Sequence, residues 1–194
     1  MAPHAKAVRR ARSDASGRLS HLDSRGRAQM VDVAAKPVTR RECIARGEVR
    51  MASATAAQIS EGRSSKGDVL ATARIAGIQA AKRTHEWIPL AHPLPLDEIH
   101  VELTPDVASG CVRIEARVRA HARTGVEMEA LVAVATAGLT VYDMCKAVDR
   151  GMTLERVRLV RKSGGKSGTW LRPGEGRMAR AGARAPAEGT EAAW

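Results

Sequence analysis

The chain has very few aromatic side chains: its 194 residues include no Phe, one Tyr and three Trp. Proteins that hold single-stranded nucleic acid stack the bases on aromatic side chains, so this composition argues against that class. The apolar fraction is nonetheless 44%, which is ordinary for a globular protein. We therefore predict a core packed from Ala, Val, Leu, Ile and Met.

Cysteine is also scarce, and long apolar runs are missing. The three cysteines, Cys43, Cys111 and Cys145, form no C-x-x-C pair, which argues against a disulfide framework or a zinc ribbon and favours a reducing, cytoplasmic setting. The longest uncharged stretch, Ala130–Tyr142, is shorter than the roughly 20 residues of a membrane span, so no membrane association is expected. The N-terminus lacks an apolar signal core; an Arg-rich transit peptide is the alternative to a disordered tail there.

The formal net charge is +11, and part of the excess lies near the chain ends. Residues 1–20 carry a net +4 and residues 169–194 a net +1, so the remaining chain still indicates an anionic partner. A phosphate-bearing metabolite needs only a few well-placed cations and fits better than nucleic acid. Composition also predicts disordered tails over 1–20 and 171–194, with a single folded domain over 21–170.

Hydrophobic periodicity predicts one α+β domain. Weak alternation over Cys43–Met51 is typical of an edge or half-buried strand, and Ser53–Ser60 indicates a short helix with a Ser cap. The later predicted elements are a helix over Asp68–Arg83 capped by Asp68, a hairpin of strands around 99–103 and 112–120, a deeply buried helix over Val126–Val148 and a strand over Met152–Val160.

This order, β-α-α-β-β-α-β, is the ferredoxin-like pattern. It predicts an antiparallel sheet with helices on one face. The other face then needs cover, and we expect a partner subunit to provide it.

Two motifs place ammonium groups beside helices. Lys66-Gly-Asp68 opens a helix, where free N–H groups and the helix dipole favour an anion; the alternative is a capped helix beside a surface lysine. Asp143 and Lys146 lie three residues apart and share one helix face. Their apolar neighbours predict partial burial, which would suit the pair to proton transfer, whereas an exposed pair would contribute little.

Two further motifs carry groups that exchange protons or accept hydrogen bonds. His92 lies in a loop stiffened by proline, and imidazole titrates near neutral pH, although a turn histidine bonded to the backbone is the commoner case. Glu127 and Glu129 share a face on an extended segment but diverge on a helix. Carboxylates are favoured at a helix start in any case.

The segment from Lys162 to Gly168 is a glycine-rich loop with two lysines. It is not a P-loop, because Val160 stands where the first Gly is required and no helix follows. The exposed N–H groups of such a loop can wrap phosphates; the alternative is a loose end of the fold.

Taken together, these motifs resemble the cyclic pyranopterin monophosphate synthase family, the accessory protein C (MoaC) family of molybdenum-cofactor biosynthesis. The resemblance spans about residues 20–168. It rests on strings that follow the family's order: Met30-Val-Asp-Val33, Lys66-Gly-Asp-Val69, Thr72-Ala-Arg-Ile-Ala-Gly-Ile-Gln-Ala-Ala-Lys82, Gly125-Val-Glu-Met-Glu-Ala-Leu131, Tyr142-Asp-Met-Cys-Lys146 and Lys162-Ser-Gly-Gly-Lys-Ser-Gly168.

The resemblance implies a ferredoxin-like lyase. Such an enzyme converts (8S)-3',8-cyclo-7,8-dihydroguanosine 5'-triphosphate, supplied by a radical-SAM GTP cyclase, to cyclic pyranopterin monophosphate and releases diphosphate. No metal or organic cofactor is implied. The implied assembly is a homohexamer built as a trimer of dimers, with the site at a dimer interface.

The resemblance also implies roles for single residues. Asp143 is catalytic, with Lys146 as its partner one turn away. The implied substrate-binding positions are Lys66, Leu90, Ala91, His92, Glu127, Met128, Glu129, Lys162 and Lys166. The family commonly has Leu-Cys-His-Pro where this chain has Leu90-Ala-His-Pro93, so a role for that thiol is lost here and a role through backbone contacts is retained. We expect these groups to converge in one cleft once neighbouring subunits are in place.

Two rival functions stay open at this point. A basic protein that binds RNA or DNA would lose affinity steeply with salt even after both tails are removed. A non-catalytic scaffold in cofactor assembly would release no diphosphate from the cyclised nucleotide.

Overall fold

The structure, a computed structural model, describes residues 25–175. In chain order its elements are β1 (Thr39–Arg50), α1 (Ser53–Ser60), α2 (Val69–Lys82), α3 (Thr84–Trp87), β2 (Glu98–Asp106), β3 (Cys111–Ala122), α4 (Glu127–Cys145), β4 (Thr153–Ser163) and β5 (Trp170–Leu171). The strands form one antiparallel sheet in the order β2-β3-β1-β4-β5, with helices packed on one side. This confirms the predicted α+β, ferredoxin-like architecture.

β1 is the central strand of the sheet, pairing with β3 on one side and β4 on the other. Its residues Cys43, Ala45 and Val49 are buried, and charged residues alternate with them. The half-buried reading of this strand is confirmed, and the edge reading is wrong. The charged side chains of β1 are accommodated in a central strand because acids and bases on the neighbouring strands pair with them across the sheet.

The sheet face away from the helices is lined by arginines and glutamates. Glu42 accepts hydrogen bonds from Arg119 at 2.6 Å and from Arg161 at 2.9 Å. Arg46 donates to Glu115 at 2.7 Å. A partner subunit that covers this face would therefore meet a surface of ion pairs rather than an apolar one.

The helix starts follow the prediction at α2 and depart from it at α1. Asp68 caps α2 by accepting a hydrogen bond from a backbone N–H of the first turn at 2.9 Å. At α1, Ser53 is already helical, and Ala52 at the cap position has no side-chain hydrogen bond. Asp149 takes over this role, since its Oδ2 accepts from the N–H of Ala52 at 2.8 Å and from the hydroxyl of Thr55 at 3.2 Å. The start of α1 is thus tied to the segment after α4.

α4 is the core helix, and it is deeply buried as predicted. At Gly77, α2 approaches it so closely that a Cβ would lie 2.9 Å from the carbonyl oxygen of Ala133. By length and composition alone α4 could cross a membrane, but 56% of its apolar window is buried inside the domain. Its apolar character is accounted for by packing against α2 and the sheet.

β4 carries a bulge opposite β1, where the pairing register shifts between Arg46 and Glu48. Within the bulge, Arg156 has a φ of 55°, and left-handed backbone costs a residue with a Cβ roughly 1–2 kcal/mol. Arg156 also lies 3.7 Å from Glu48, with its side chain 70% exposed.

We expect Arg156→Gly to raise the free energy of unfolding by about 0.5–1 kcal/mol, because relief of the left-handed strain exceeds the entropy cost of glycine. The lost ion pair is exposed and contributes little. Urea unfolding measures the change. Arg156→Ala keeps the strain and loses the ion pair, so it should not stabilise; a glycine variant less stable than the alanine variant would contradict the argument.

The described residues extend past 170, the predicted domain end, to residue 175. Lys162 and Ser163, predicted to lie in a loop, end β4. β5 then pairs antiparallel with Arg161 and Lys162. A two-residue strand leaves no alternation to detect, which is why it escaped prediction. Residues 1–20 and 176–194 of the two predicted tails lie outside the described residues.

Candidate active site

The residues singled out by sequence fall into two groups at opposite ends of α4. Glu127 opens this helix and Asp143 stands sixteen positions later, so they are about 24 Å apart at a rise of 1.5 Å per residue. Lys66 and Lys146 lie with Asp143, and Lys162 lies with Glu127. A single chain therefore does not bring these groups into one cleft.

The first group, here called the distal cluster, comprises Lys66, Asp143 and Lys146. The Nζ of Lys146 donates to Oδ1 of Asp143 at 2.5 Å, across one turn at the end of α4. The Nζ of Lys66 donates to the backbone oxygen of Asp143 at 2.9 Å and lies 3.6 Å from its Oδ2. Lys66 reaches this position because its loop runs directly into the capped start of α2. Two ammonium groups thus flank one carboxylate.

The distal cluster is exposed, which corrects the predicted burial of the Asp143–Lys146 pair. The side chains of Asp143 and Lys146 are 61% and 51% exposed. The hydrogen bond from Lys146, together with the charges of both lysines, lowers the pKa of Asp143, and the same hydrogen bond raises the pKa of Lys146. In the single chain the carboxylate stays ionised and the amine stays protonated, so neither group is tuned for proton transfer near neutral pH.

A cavity of about 240 Å³ adjoins the distal cluster. Ser64 and Ser65, which precede Lys66, line it together with Met144 and Cys145 from the end of α4. This end of the helix therefore offers a concave surface next to the ammonium groups.

The second group, here called the proximal cavity, surrounds the start of α4. It encloses about 370 Å³ and is lined by Val31, Val33, Lys36, Leu90, Ala91, His92, Thr124, Gly125, Glu127, Met128 and Glu129. Six of the nine predicted substrate-binding positions are in this lining. Lys162 reaches the same place, because its Nζ donates to Oε1 of Glu127 at 3.0 Å.

His92 is oriented by the segment near the N-terminus. Its Nε2 lies 2.9 Å from the carbonyl oxygen of Val31. A carbonyl only accepts, so the proton of a neutral ring is on Nε2 and Nδ1 remains as an acceptor. This segment, part of the string Met30–Val33, therefore fixes the tautomer of a histidine that lines the proximal cavity.

Glu129 is the buried acid of this cavity, with 4% of its surface exposed. Burial raises its pKa to about 7, and the neighbouring charge of Glu127 adds to the rise. The carboxyl group therefore changes its protonation in the physiological range, which the sequence pattern did not reveal. Glu127 folds back over Gly125, where a Cβ would lie 1.9 Å from its Oε2.

We expect Glu129→Gln to stabilise the protein increasingly as the pH rises from 5 to 8. A folded-state pKa above the unfolded value means that the folded protein binds more protons between the two values, so the wild type loses stability across this window. The difference should grow from near zero to about 2–3 kcal/mol. Urea unfolding at several pH values measures it, with Glu86→Gln, an exposed acid on α3, as the control. A difference independent of pH would contradict the assignment.

The lysines of the glycine-rich loop differ in setting. Lys162 is in β4 and partly buried, whereas Lys166 is exposed at the turn that follows. Gly164 and Gly165 have φ values of 101° and 69°, and a Cβ on Gly164 would lie 2.1 Å from the oxygen of Arg40. The glycines thus let the loop pack against β1 beside the proximal cavity.

Cys145 is the only cysteine among the residues that line the two described cavities, and it is buried. Ala91 lines the proximal cavity at the position where the resemblance implies a cysteine. The three cysteines of the chain are buried, and burial raises the pKa of Cys43 to about 12. Within residues 25–175, no group of three or more His, Cys, Asp or Glu side chains is arranged to hold a metal ion.

Lys36 is the main cavity residue that the motifs missed. It lines the proximal cavity with Val31 and Val33, beyond the end of the matched string. One signal was available: lysine is rare in this chain, with 7 among 32 basic residues, and three of the seven lie in the distal cluster or beside the proximal cavity.

Comparison with known proteins gives one consistent family. The MoaC family model matches residues 30–165. A cyclic pyranopterin monophosphate synthase of Thermomicrobium roseum is 60% identical over 154 residues, which cover 79% of this chain and 93% of that protein. The synthase of the same name from Chloroflexus aurantiacus is 57% identical over 161 residues, or 83% and 99% of the two chains. That of Roseiflexus sp. is 60% identical over 153 residues, or 79% and 97%.

Proposed function

The chain belongs to the MoaC family, and on that premise we propose that it is a lyase of molybdenum-cofactor biosynthesis. It converts (8S)-3',8-cyclo-7,8-dihydroguanosine 5'-triphosphate to cyclic pyranopterin monophosphate and releases diphosphate. The observation that carries the proposal is the distal cluster, in which Lys66 and Lys146 hold one carboxylate between them. The two ammonium groups suit a phosphate-bearing substrate, and the carboxylate–amine pair supplies an acid and a base once a second subunit covers it.

The ammonium groups suit a triphosphate. Diphosphate leaves more readily when fixed cations neutralise the charge that develops on it, and this is usually the largest contribution in such catalysis. Lys66, Lys162 and Lys166 supply this charge from the protein side, and Lys36 adds a further ammonium group at the proximal cavity. Leu90, Ala91, His92 and Met128 form the wall against which the pterin end packs, with Glu127 and Glu129 as its hydrogen-bond acceptors.

A complete site requires two subunits. The distal cluster and the proximal cavity lie about 24 Å apart along one helix, too far for one small substrate to contact both within a chain. Packing the distal end of one subunit against the proximal end of another joins them, as expected for a site at a dimer interface. The same contact would bury the exposed Asp143–Lys146 pair and bring both pKa values toward neutrality. The pair then shuttles protons during ring opening and closure.

The assembly and setting follow the family. The protein forms a homohexamer as a trimer of dimers, acts in the cytoplasm and receives its substrate from a radical-SAM GTP cyclase. Neither metal nor organic cofactor takes part in the chemistry. Light scattering tests the assembly, and a monomer would contradict it.

Release of diphosphate from the cyclised nucleotide by the purified full chain is the decisive experiment. We expect stoichiometric diphosphate and cyclic pyranopterin monophosphate. A chain that binds the nucleotide and releases nothing would be a scaffold instead. Removal of residues 1–20 and 176–194 should leave turnover unchanged while lowering any affinity for nucleic acid; retention of strong, salt-dependent binding to nucleic acid would favour the rival function.

A further inference from the structure

The C-terminal strap, defined here as residues 170–175, grips β4 beside the proximal cavity. Trp170 and Leu171 extend the sheet as β5, opposite Lys162 and Arg161. The N–H of Arg172 donates to the carbonyl oxygen of Val160 at 2.8 Å. These backbone bonds occupy the edge of β4 that would otherwise end the sheet.

Side chains reinforce the strap. The Nε of Arg172 donates to the carbonyl oxygen of Leu159 at 2.7 Å, and its guanidinium lies 5.6 Å from the ring centre of Trp170. Glu175 bridges two arginines, with Arg46 of the central strand at 2.9 Å and Arg158 of β4 as its other partner. The Glu175 side chain is only 13% exposed. The strap is therefore built into the sheet by its own ion pairs rather than laid over it.

The strap lies outside the family match, which ends at residue 165. It does, however, close a specific loop: β4 ends at Ser163 and β5 begins at Trp170, so the segment that carries Lys166 is held at both ends.

Arg41 of β1 also contacts this loop, near its start at Gly165. A Cβ on Gly165 would lie 1.7 Å from the guanidinium of Arg41, so the loop and that guanidinium are in direct contact. Arg41 in turn donates to the carbonyl oxygens of Ala122 and Arg123, each at 3.4 Å. These two residues lead into the segment that lines the proximal cavity. Arg41 holds the start of the loop and the strap holds its end, so both fix the position of the loop relative to the proximal cavity.

We propose that the C-terminal strap is a positioning element that preorganises Lys162 and Lys166 for the phosphates of the substrate. This inference rests on the proposed function, in which these lysines bind phosphate. Trp170 pairs with Lys162 itself, and Arg172 fixes the strand just before it. A loop held in its binding conformation loses less conformational entropy when the ligand arrives. The strap residues do not touch the substrate.

Inorganic diphosphate is the probe for binding, and turnover of the cyclised nucleotide is the second readout. In the full chain, Arg172→Ala combined with Glu175→Ala is expected to raise the Kd for diphosphate and the KM about tenfold, with kcat within about twofold. A chain ending at residue 169 should show the same split. A chain ending at residue 175 keeps the strap and should match the wild type. A role in stability alone would instead lower the active fraction, so that kcat would fall at unchanged KM.

Two outcomes distinguish a failure of the strap proposal from a failure of the phosphate-binding role on which it rests. Lys166→Ala should also weaken diphosphate binding; if it does not, the phosphate role of the loop is wrong and the strap inference falls with it. If Lys166→Ala weakens binding and the strap variants do not, the strap alone is refuted. Where the shortened chain fails to fold, full-length Glu175→Gln gives the answer, with an expected twofold to threefold rise in KM.

Discussion

Replacing Asp143 with Asn is expected to lower kcat about 10³-fold while leaving the affinity for the substrate nearly unchanged. Asn keeps the size of the side chain but cannot take up a proton, and positioned acid–base groups contribute about 10²–10⁴-fold to such reactions. The fold should tolerate the change, because the side chain is 61% exposed and exposed ion pairs contribute little to stability. Single-turnover kinetics with the cyclised nucleotide, alongside equilibrium binding, measures both quantities.

A matched control is Asp97→Asn. Asp97 is also exposed and also pairs with a basic side chain, His121, at 2.7 Å, but it lies just before β2 and outside both groups. It should retain wild-type turnover. Normal turnover in the Asp143 variant would refute its catalytic role, and loss of substrate binding would show that its main part is in holding the two lysines.

Mixing two inactive variants should restore activity when their defects lie at opposite ends of α4. If each site joins the distal cluster of one chain to the proximal cavity of another, a dimer of an Asp143→Asn chain and a Lys162→Ala chain has one intact site and one doubly defective site. Random assembly at equal amounts then yields about a quarter of the wild-type sites. Diphosphate release after joint refolding or joint expression measures the recovery.

The control mixture combines Asp143→Asn with Lys66→Ala. Both defects lie in the distal cluster, so every site formed keeps at least one of them and activity should not return. Recovery in both mixtures would show that the activity does not come from a site shared between two chains, and it would contradict the proposal. No recovery in either would place the complete site within one chain and overturn the two-subunit proposal.

The fold was predictable because its periodicities were clear. Strand alternation in β2 and β3, the Asp68 cap and the long apolar run of α4 each had one structural interpretation. The place of β1 in the sheet was not predictable, because weak alternation is typical of both an edge strand and a half-buried one, and the strands that flank β1 lie far along the chain. β5 was not predicted, because a strand of two residues is too short to show alternation of apolar and polar side chains.

For the candidate site, the sequence motifs name residues but do not show how those residues are arranged in space. Spacing placed Asp143 and Lys146 on one helix face, but spacing does not say whether that face is covered, and the pair proved exposed. A motif gives the order of residues along the chain and not their distances in space. It therefore did not predict that Lys66 and Lys162 contact opposite ends of α4. Lys36 was missed because a single lysine outside a motif has no pattern of its own.

The exposed state of the distal cluster has a consequence for the newly made subunit. In the single chain its carboxylate and its amine carry opposite charges and are exposed to solvent, so neither is set for proton transfer before association. In the two-subunit site proposed above, contact with another chain would exclude that solvent and supply the other half of the pocket in the same event. Folding, association and the onset of activity would then be coupled, without any separate regulator.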